Sequence, residues 1–409
     1  MFVSFDFEES RLASFDVRPC LKAVKNIDDR SQHIIMLFFR PLTKFKYFVS
    51  ARTVRQFHKT HVLTGSLCNA PNAELDKTVY DRYMCLPMPE GKVQLTYLWI
   101  DHTGGNLRCK TRTLDFSPST HKEVPIWTFN GYLTMEAPEE KSDYFLVPVA
   151  LYNDPIRRGI NKIALCETFN ADEKPCKTNH RQKCVEALNK VCDHEVHIAF
   201  EQDYYLMGGD GRPFGWPPMG EPIPGRAYYA AMCTTIGREI AECFYRALLY
   251  AGVNVYSDCA EPAPSQWEIK TVGERGVKPA DDLWFTRWLM QRIAEDFGVC
   301  VSFQPIVSPG WSKSGLHVTF STKRMRDNDG MKHIQEVVKK LEKCHKDLLK
   351  VYKSTYLGDK FTCGIGDRSA SVRIPKIVAD KKKGFIEDRR PAGNADPYKV
   401  MEAIIKACI

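Results

Sequence analysis

The chain has 409 residues, 44% of them hydrophobic and 11% aromatic, enough for about two domains with real cores and too apolar for a disordered chain. Its net charge of +8 would suit a polyanion, but six of those charges (Arg40, Lys44, Lys46, Arg52, Arg55 and Lys59) fall in the acid-free segment 31–73. That leaves +2 elsewhere, so nucleic-acid binding through a basic surface is not expected. Fifteen cysteines with no C-x-x-C pair point to a reducing compartment and give zinc no ligand cluster, and no run of about 18 apolar residues could span a membrane.

In chain order, residues 1–35 form a leader of unassigned role that carries six acids. Residues 36–73, from Met36, are basic, hydroxyl-bearing and free of Asp and Glu, which is the composition of a mitochondrial targeting sequence. A disordered basic leader on a cytoplasmic protein is the alternative. KVQLTYLWID (92–101) alternates in the manner of a half-buried strand, and NLRCKTRTLD follows after Gly104-Gly105, predicting a hairpin. YFLVPVALYN and KIALCETF add strands, so 92–177 is expected to be a small, mainly β domain. The pattern turns helical in RQKCVEALNKVCD, which sets a boundary at 178 and leaves 178–409 as a larger domain of alternating helices and strands. Helices are predicted over 237–251 ending before Gly252, over 281–297 starting on Asp281-Asp282, and over about 331–352. The Lys-rich face Lys339, Lys340, Lys343, Lys346 and Lys350 is expected to be solvated.

Strand residues two apart share a face. In HIAFEQDYYL, Glu201 and Asp203 therefore project together, and two carboxylates so close repel unless a cation lies between them or one takes up a proton. Glu261 and Glu268 bracket a short Pro-containing loop, His317 opposes Leu316 and Val318 across its strand, and Glu387 shares a face with Arg389. With Arg368 and Arg373, the set is five carboxylates, one His and several Arg. This is the equipment of metal-assisted phosphoryl transfer, in which hard divalent ions and arginines offset charge on a transferring phosphate.

Taken in order, YLWID, LRCKTRTLD, VPVALYNDPIRR, DGRPFGWP, YAGV, AE followed by QWE, DDLWFTRWLMQRIAEDFGV, HVTFSTK, RSASVRIP and KKGFIEDRRPAGNADPY resemble eukaryotic-type glutamine synthetase from about Ala70 to Cys408. The resemblance implies an α+β fold: a small N-terminal β-grasp-like domain, then a catalytic domain built on a curved antiparallel sheet with helices. It implies ATP as a substrate, Mg²⁺ or Mn²⁺ as cofactor, and ligation of ammonia to glutamate through a γ-glutamyl phosphate. It also implies a double-ringed homo-oligomer with active sites between subunits. One metal would take Asp203, Glu261 and Glu268, the other Glu201, His317 and Glu387. Arg368, Arg373 and Arg389 would steady phosphates, and Ser321 and Arg326 would help to hold the nucleotide.

The departures from the family pattern set a second expectation. Asp203 stands for Glu, Asn130 for the Asp that binds and deprotonates ammonium, His197 for Trp, and Phe385, beside the nucleotide, for Tyr. Ser312-Lys313-Ser314-Gly315 replaces the N-G-A-G loop that helps to hold glutamate. Only KSTYLGDKFTCGIGD connects Tyr352 to Arg368, with no match for the family's Glu-bearing flap. The metal and ATP half is expected to be retained and the glutamate and ammonia half altered. The alternative is a weak paralogue that binds nucleotide or co-assembles with an active subunit.

Overall fold

A computed structural model describes residues 71–231, 234–354 and 360–409. The leader and nearly all of the basic segment 36–73 lie outside them.

The first sheet has the order β2-β1-β5-β4-β3, from β1 (Val93–Ile100), β2 (Leu107–Leu114), β3 (Trp127–Asn130), β4 (Asp143–Asn153) and β5 (Lys162–Phe169). The β1/β5 pair is parallel and the other pairs are antiparallel, with the predicted hairpin joining β1 to β2. The sequence predicts a half-buried β1, but both of its faces are covered. Leu95, Tyr97 and Trp99 face one apolar cluster while Leu98 joins another, and Thr96 between them is also buried. A strand inside a sheet and between two packed layers has no solvent face left to alternate toward.

The second sheet runs β11-β12-β13-β10-β6-β8-β7, with β9 also on β6. Its strands are β6 (His197–Met207), β7 (Val255–Ala260), β8 (Gln266–Thr271), β9 (Cys300–Ser302), β10 (Leu316–Ser321), β11 (Cys363–Ile365), β12 (Val372–Ile374) and β13 (Ile386–Asp388). Every pair except β11/β12 is antiparallel. Alternation divides β6 cleanly. Ile198 and Phe200 enter one core cluster and Tyr204 and Leu206 the other, which leaves Glu201 and Asp203 on the opposite face.

The helices are α1 (Lys77–Met84), α2 (Arg181–Lys190), α3 (Arg238–Ala251), α4 (Lys278–Ala294), α5 (Lys323–Arg326), α6 (Gly330–Lys343), α7 (His345–Val351), α8 (Lys376–Lys381) and α9 (Pro397–Cys408). Gly252 ends α3 in the left-handed conformation, as its position predicts. Helix α4 starts three residues before the predicted Asp281, because Pro279 fits a first turn that needs no N–H donor. Asp281 and Asp282 are buried there as partners. Asp281 accepts from Arg181 at 2.8 and 3.0 Å and from the Tyr398 hydroxyl at 2.7 Å, and Asp282 accepts from the Tyr152 hydroxyl at 2.9 Å. The predicted helix 331–352 is two helices separated at Cys344.

The described residues belong to one compact unit, and the two sheets share a core. Leu98, Tyr152, Ile163 and Leu165 of the first sheet pack with Tyr204, Phe244, Phe285 and Leu289, and Tyr152 stacks on Phe285 at 3.9 Å. No helix among the described residues is long and apolar enough to cross a membrane.

Candidate active site

Register across the second sheet assembles the site. His317 on β10 and Lys270 on β8 flank Glu201 on β6, so one row reads Lys270, Glu201, His317. The next row reads Cys259, Glu268, Asp203, and continues to Gly315, whose carbonyl accepts from Asp203 N at 3.0 Å. On the other side of β10, Arg373 lies opposite Glu387. Residues distant in sequence thus meet on one face, because each sits at the same phase of a two-residue period.

Glu201 is anchored by His317 Nδ1 at 2.7 Å from Oε1 and by the Lys270 ammonium on Oε2. Glu387 receives Arg373 Nη1 at 2.6 Å on Oε2 and the Arg389 guanidinium on Oε1. Glu201, His317 and Glu387 offer ligand atoms within 4.8 Å of one another, as the resemblance implies. A second set with the same spacing is Cys259, Glu261 and Glu268, with Cys259 where Asp203 was expected. Asp203 is one methylene shorter than Glu, and its Oδ2 is held by Gly315 N at 2.9 Å, while its buried Oδ1 has no hydrogen-bond partner.

The electrostatics differ between these sets. Burial pushes Glu268 up to about 10, with the charge of Glu201 and a shared hydrogen bond adding to it. Burial and then the charges of Asp203 and Glu201 push Glu261 up to about 8, and burial is the main cause that takes Asp203 up to about 6. Burial opposes ionisation of Glu201 too, yet His317 and Lys270 hold it well below the ordinary carboxylate range. Glu387 is lowered against its burial by His317 and Arg389, and His317 is raised against its burial by Glu201. Across the two sets the donors are hard carboxylate oxygens with one imidazole and one thiol, and the buried carboxylate oxygen Asp203 Oδ1 beside them is orphaned. That chemistry fits a divalent cation such as Mg²⁺ or Mn²⁺.

Gly315 is needed for close approach, since a Cβ there would lie 2.9 Å from His317 Nε2. Its loop is tied down by Ser312, which donates to Gln266 at 2.5 Å and accepts from the Tyr205 hydroxyl at 2.8 Å, and by the Lys313 carbonyl on Gln266 at 3.2 Å. Ser321 lies four residues along β10 from His317, about 13 Å at strand rise, opposite His197. Arg326 donates to Ser321 Oγ at 2.6 Å and to the Glu195 carbonyl at 2.8 Å, and with Arg275 and Lys323 it surrounds Glu195. Phe385 is half-buried against the core, and Arg368 is exposed, its charge felt by Glu261. Asn130 stays apart on edge strand β3, exposed, its Oδ1 accepting from Leu133 N at 3.1 Å. A cavity of about 570 Å³ lined by Tyr152, Lys162, Arg181 and Asp282 holds none of these ligands.

Lys270 and Cys259 were not singled out from sequence. The signal was present, since Lys270 is two residues from Glu268 and Cys259 two from Glu261, and each therefore shares its neighbour's face.

A curled, mostly antiparallel sheet with a carboxylate, imidazole and arginine cluster on one face is suited to holding divalent cations and phosphate groups. Residues 179–343 match the family profile described as glutamine synthetase, catalytic domain. The chain is 42% identical over 357 residues to glutamine synthetase 2 cytoplasmic of Drosophila melanogaster, covering 83% of this chain and 96% of that one. It is 41% identical over 362 residues to human glutamine synthetase, covering 84% and 96%. The fold is similar to a solved structure described as "GmaS/ADP complex-Conformation 1", with TM-score 0.63, 17% identity and coverage of 81% and 80%. The chain belongs to the glutamine synthetase family, as a divergent member of its eukaryotic type.

Proposed function

We propose that the protein is an ATP-dependent glutamate-ammonia ligase in which the phosphoryl-transfer half is retained and the ligation half altered. The observation that carries this is the convergence of Glu201, His317, Glu387, Glu261, Glu268, Arg373 and Arg389 on one face of the sheet. Bound divalent metal would be held by carboxylates of this face, and would offset the negative charge of ATP phosphates. Arg373 and Arg389 lie where they can bind the oxygens of the phosphoryl group as it passes to the glutamate side chain, and Arg368 can reach the same region from the surface. Ser321 and Arg326 hold the nucleotide further along β10. The loop from Ser312 to Gly315 lies beside glutamate, and Lys313 adds a cation there.

Ammonia displaces phosphate only after its ammonium form loses a proton, and the Asn130 amide cannot accept that proton. Exposed Ile126, Leu133 and Met135 around Asn130 support its placement against a neighbouring subunit, in a double-ringed homo-oligomer. The division at 178 into a small β domain and a catalytic domain belongs to the same reading. The name of the Drosophila relative supports a cytoplasmic location over import on segment 36–73.

Asn130, Lys313 and the short connection after Tyr352 favour a second reading, a paralogue that binds nucleotide within a mixed oligomer and makes little glutamine. Both readings require ATP. Calorimetry of the full chain with Mg²⁺ should show ATP binding that weakens at least about tenfold in Arg373→Ala, as expected for loss of a charge-assisted phosphate contact. Absence of binding to the folded wild-type protein would overturn both.

A further inference from the structure

The two ligand sets do not carry the same charge. In the first, each oxygen of Glu201 and Glu387 is already taken: His317 and Lys270 hold Glu201, and Arg373 and Arg389 hold Glu387. Two carboxylates there face three side-chain cations. In the second, Glu261 and Glu268, like Asp203 opposite Glu268, make no ion pair among the described residues, and Asp203 Oδ1 is buried without a hydrogen-bond partner. Lys270 is the side chain that creates the difference. It stands opposite Glu201 across β6 and β8, shares a face with Glu268 two residues away, and is largely buried, with 29% of its side chain exposed.

We propose that Lys270 is a built-in cation of this site, occupying Glu201 in place of one divalent ion, so that each subunit binds a single divalent cation at Glu261 and Glu268. The inference rests on the metal-binding part of the functional reading above. A divalent ion entering the Glu201, His317 and Glu387 set must displace the Lys270 ammonium from Glu201 and settle beside two guanidinium groups. An ion entering the other set meets the Glu261 and Glu268 carboxyl groups, with Asp203 opposite Glu268 in register, and displaces no cation. Cys259 adds a softer donor there, its thiol 3.6 Å from Glu268 Oε1.

Mn²⁺ titration of the full chain, with free Mn²⁺ read by electron paramagnetic resonance and heat by calorimetry, tests this without reference to turnover. The wild-type protein should bind one Mn²⁺ per subunit, and Glu261→Gln should lose it while Glu387→Gln keeps it. Lys270→Gln should bind two, and Lys270→Arg, which keeps the charge, should bind one. Two ions of comparable affinity in the wild type, or one ion in a folded Lys270→Gln, would overturn the role of Lys270 and leave the functional reading standing. No Mn²⁺ on any folded variant would overturn both. If Lys270→Gln does not fold, the wild-type count and the Glu261 and Glu387 variants decide the matter.

Discussion

Glu261 and Glu268 hold protons that ordinary carboxyl groups would release, because they are buried beside other acids. The sign of the resulting pH dependence follows from linkage. In the folded, metal-free protein these groups sit at about 8 and about 10, against about 4.5 when unfolded, so the folded state binds more protons between those limits. Their contribution is fully present below the ordinary carboxylate range and is lost as pH rises through about 8 and then about 10. Metal-free protein should therefore melt at a lower temperature at pH 9 than at pH 6, and added Mg²⁺ should close most of the gap. Thermal melts with and without chelator read this directly, and equal melting at both pH values without metal would count against it. Glu201 and Asp203 were legible as a pair from their spacing alone. The split of cations between two ligand sets was not, because a lysine in a strand reads as solvent-facing until register shows Glu201 opposite it.

Strand β6 is supported from behind as carefully as it is used in front. Gln202, between the two acids, points to the opposite face, where its Oε1 accepts from Arg287 at 2.7 and 2.9 Å and its Nε2 donates to the Gly393 carbonyl at 3.0 Å. Arg287 also donates to the carbonyls of Gly393 and Ala395, both at 2.9 Å, and so ties α4 and the segment after β13 to the strand that carries Glu201 and Asp203. Strand β13 repeats the arrangement. Glu387 turns to the site, while Asp388 turns to buried Arg390, bonded at 2.7 and 2.8 Å, and to Tyr352. Arg287→Leu leaves Gln202 Oε1 and the Ala395 carbonyl without donors and takes from the Gly393 carbonyl one of its two. At roughly 1–3 kcal/mol for each buried orphan, partly relieved by relaxation, the loss should be about 3 kcal/mol in a denaturant titration. A change below about 0.5 kcal/mol, the usual range of surface substitutions, would show that Arg287 supports nothing. The helices were legible from caps and period, with the exception of their detailed ends: Pro279 lets α4 begin early, and Cys344 divides a pattern that looked continuous. Arg287 was hidden because an arginine inside an apolar helix gives no sign of what it bonds until the helix is packed.

At the scale of the molecule, the shared core of the two sheets fixes how the carboxylate face is presented, and ordered motif matches made the family legible along most of the chain. Convergence of the ligands was not legible, since it depends on strand order and register, which sequence spacing does not supply. On the function proposed above, this chain keeps the phosphoryl-transfer side of the family's reaction while its ligation side has changed, at Asn130, at Lys313 and in the short connection after Tyr352. An acyl phosphate formed without a flap over it is open to water, so ATP consumption and glutamine formation should part company. The most direct measurement is the ratio of ADP to glutamine formed in one reaction containing ATP, Mg²⁺, glutamate and ammonia. Glutamate-dependent ADP formation well in excess of glutamine is the result predicted. One glutamine for each ADP, at a rate within the ordinary enzyme range of about 1–1000 s⁻¹, would show that the ligation half is intact.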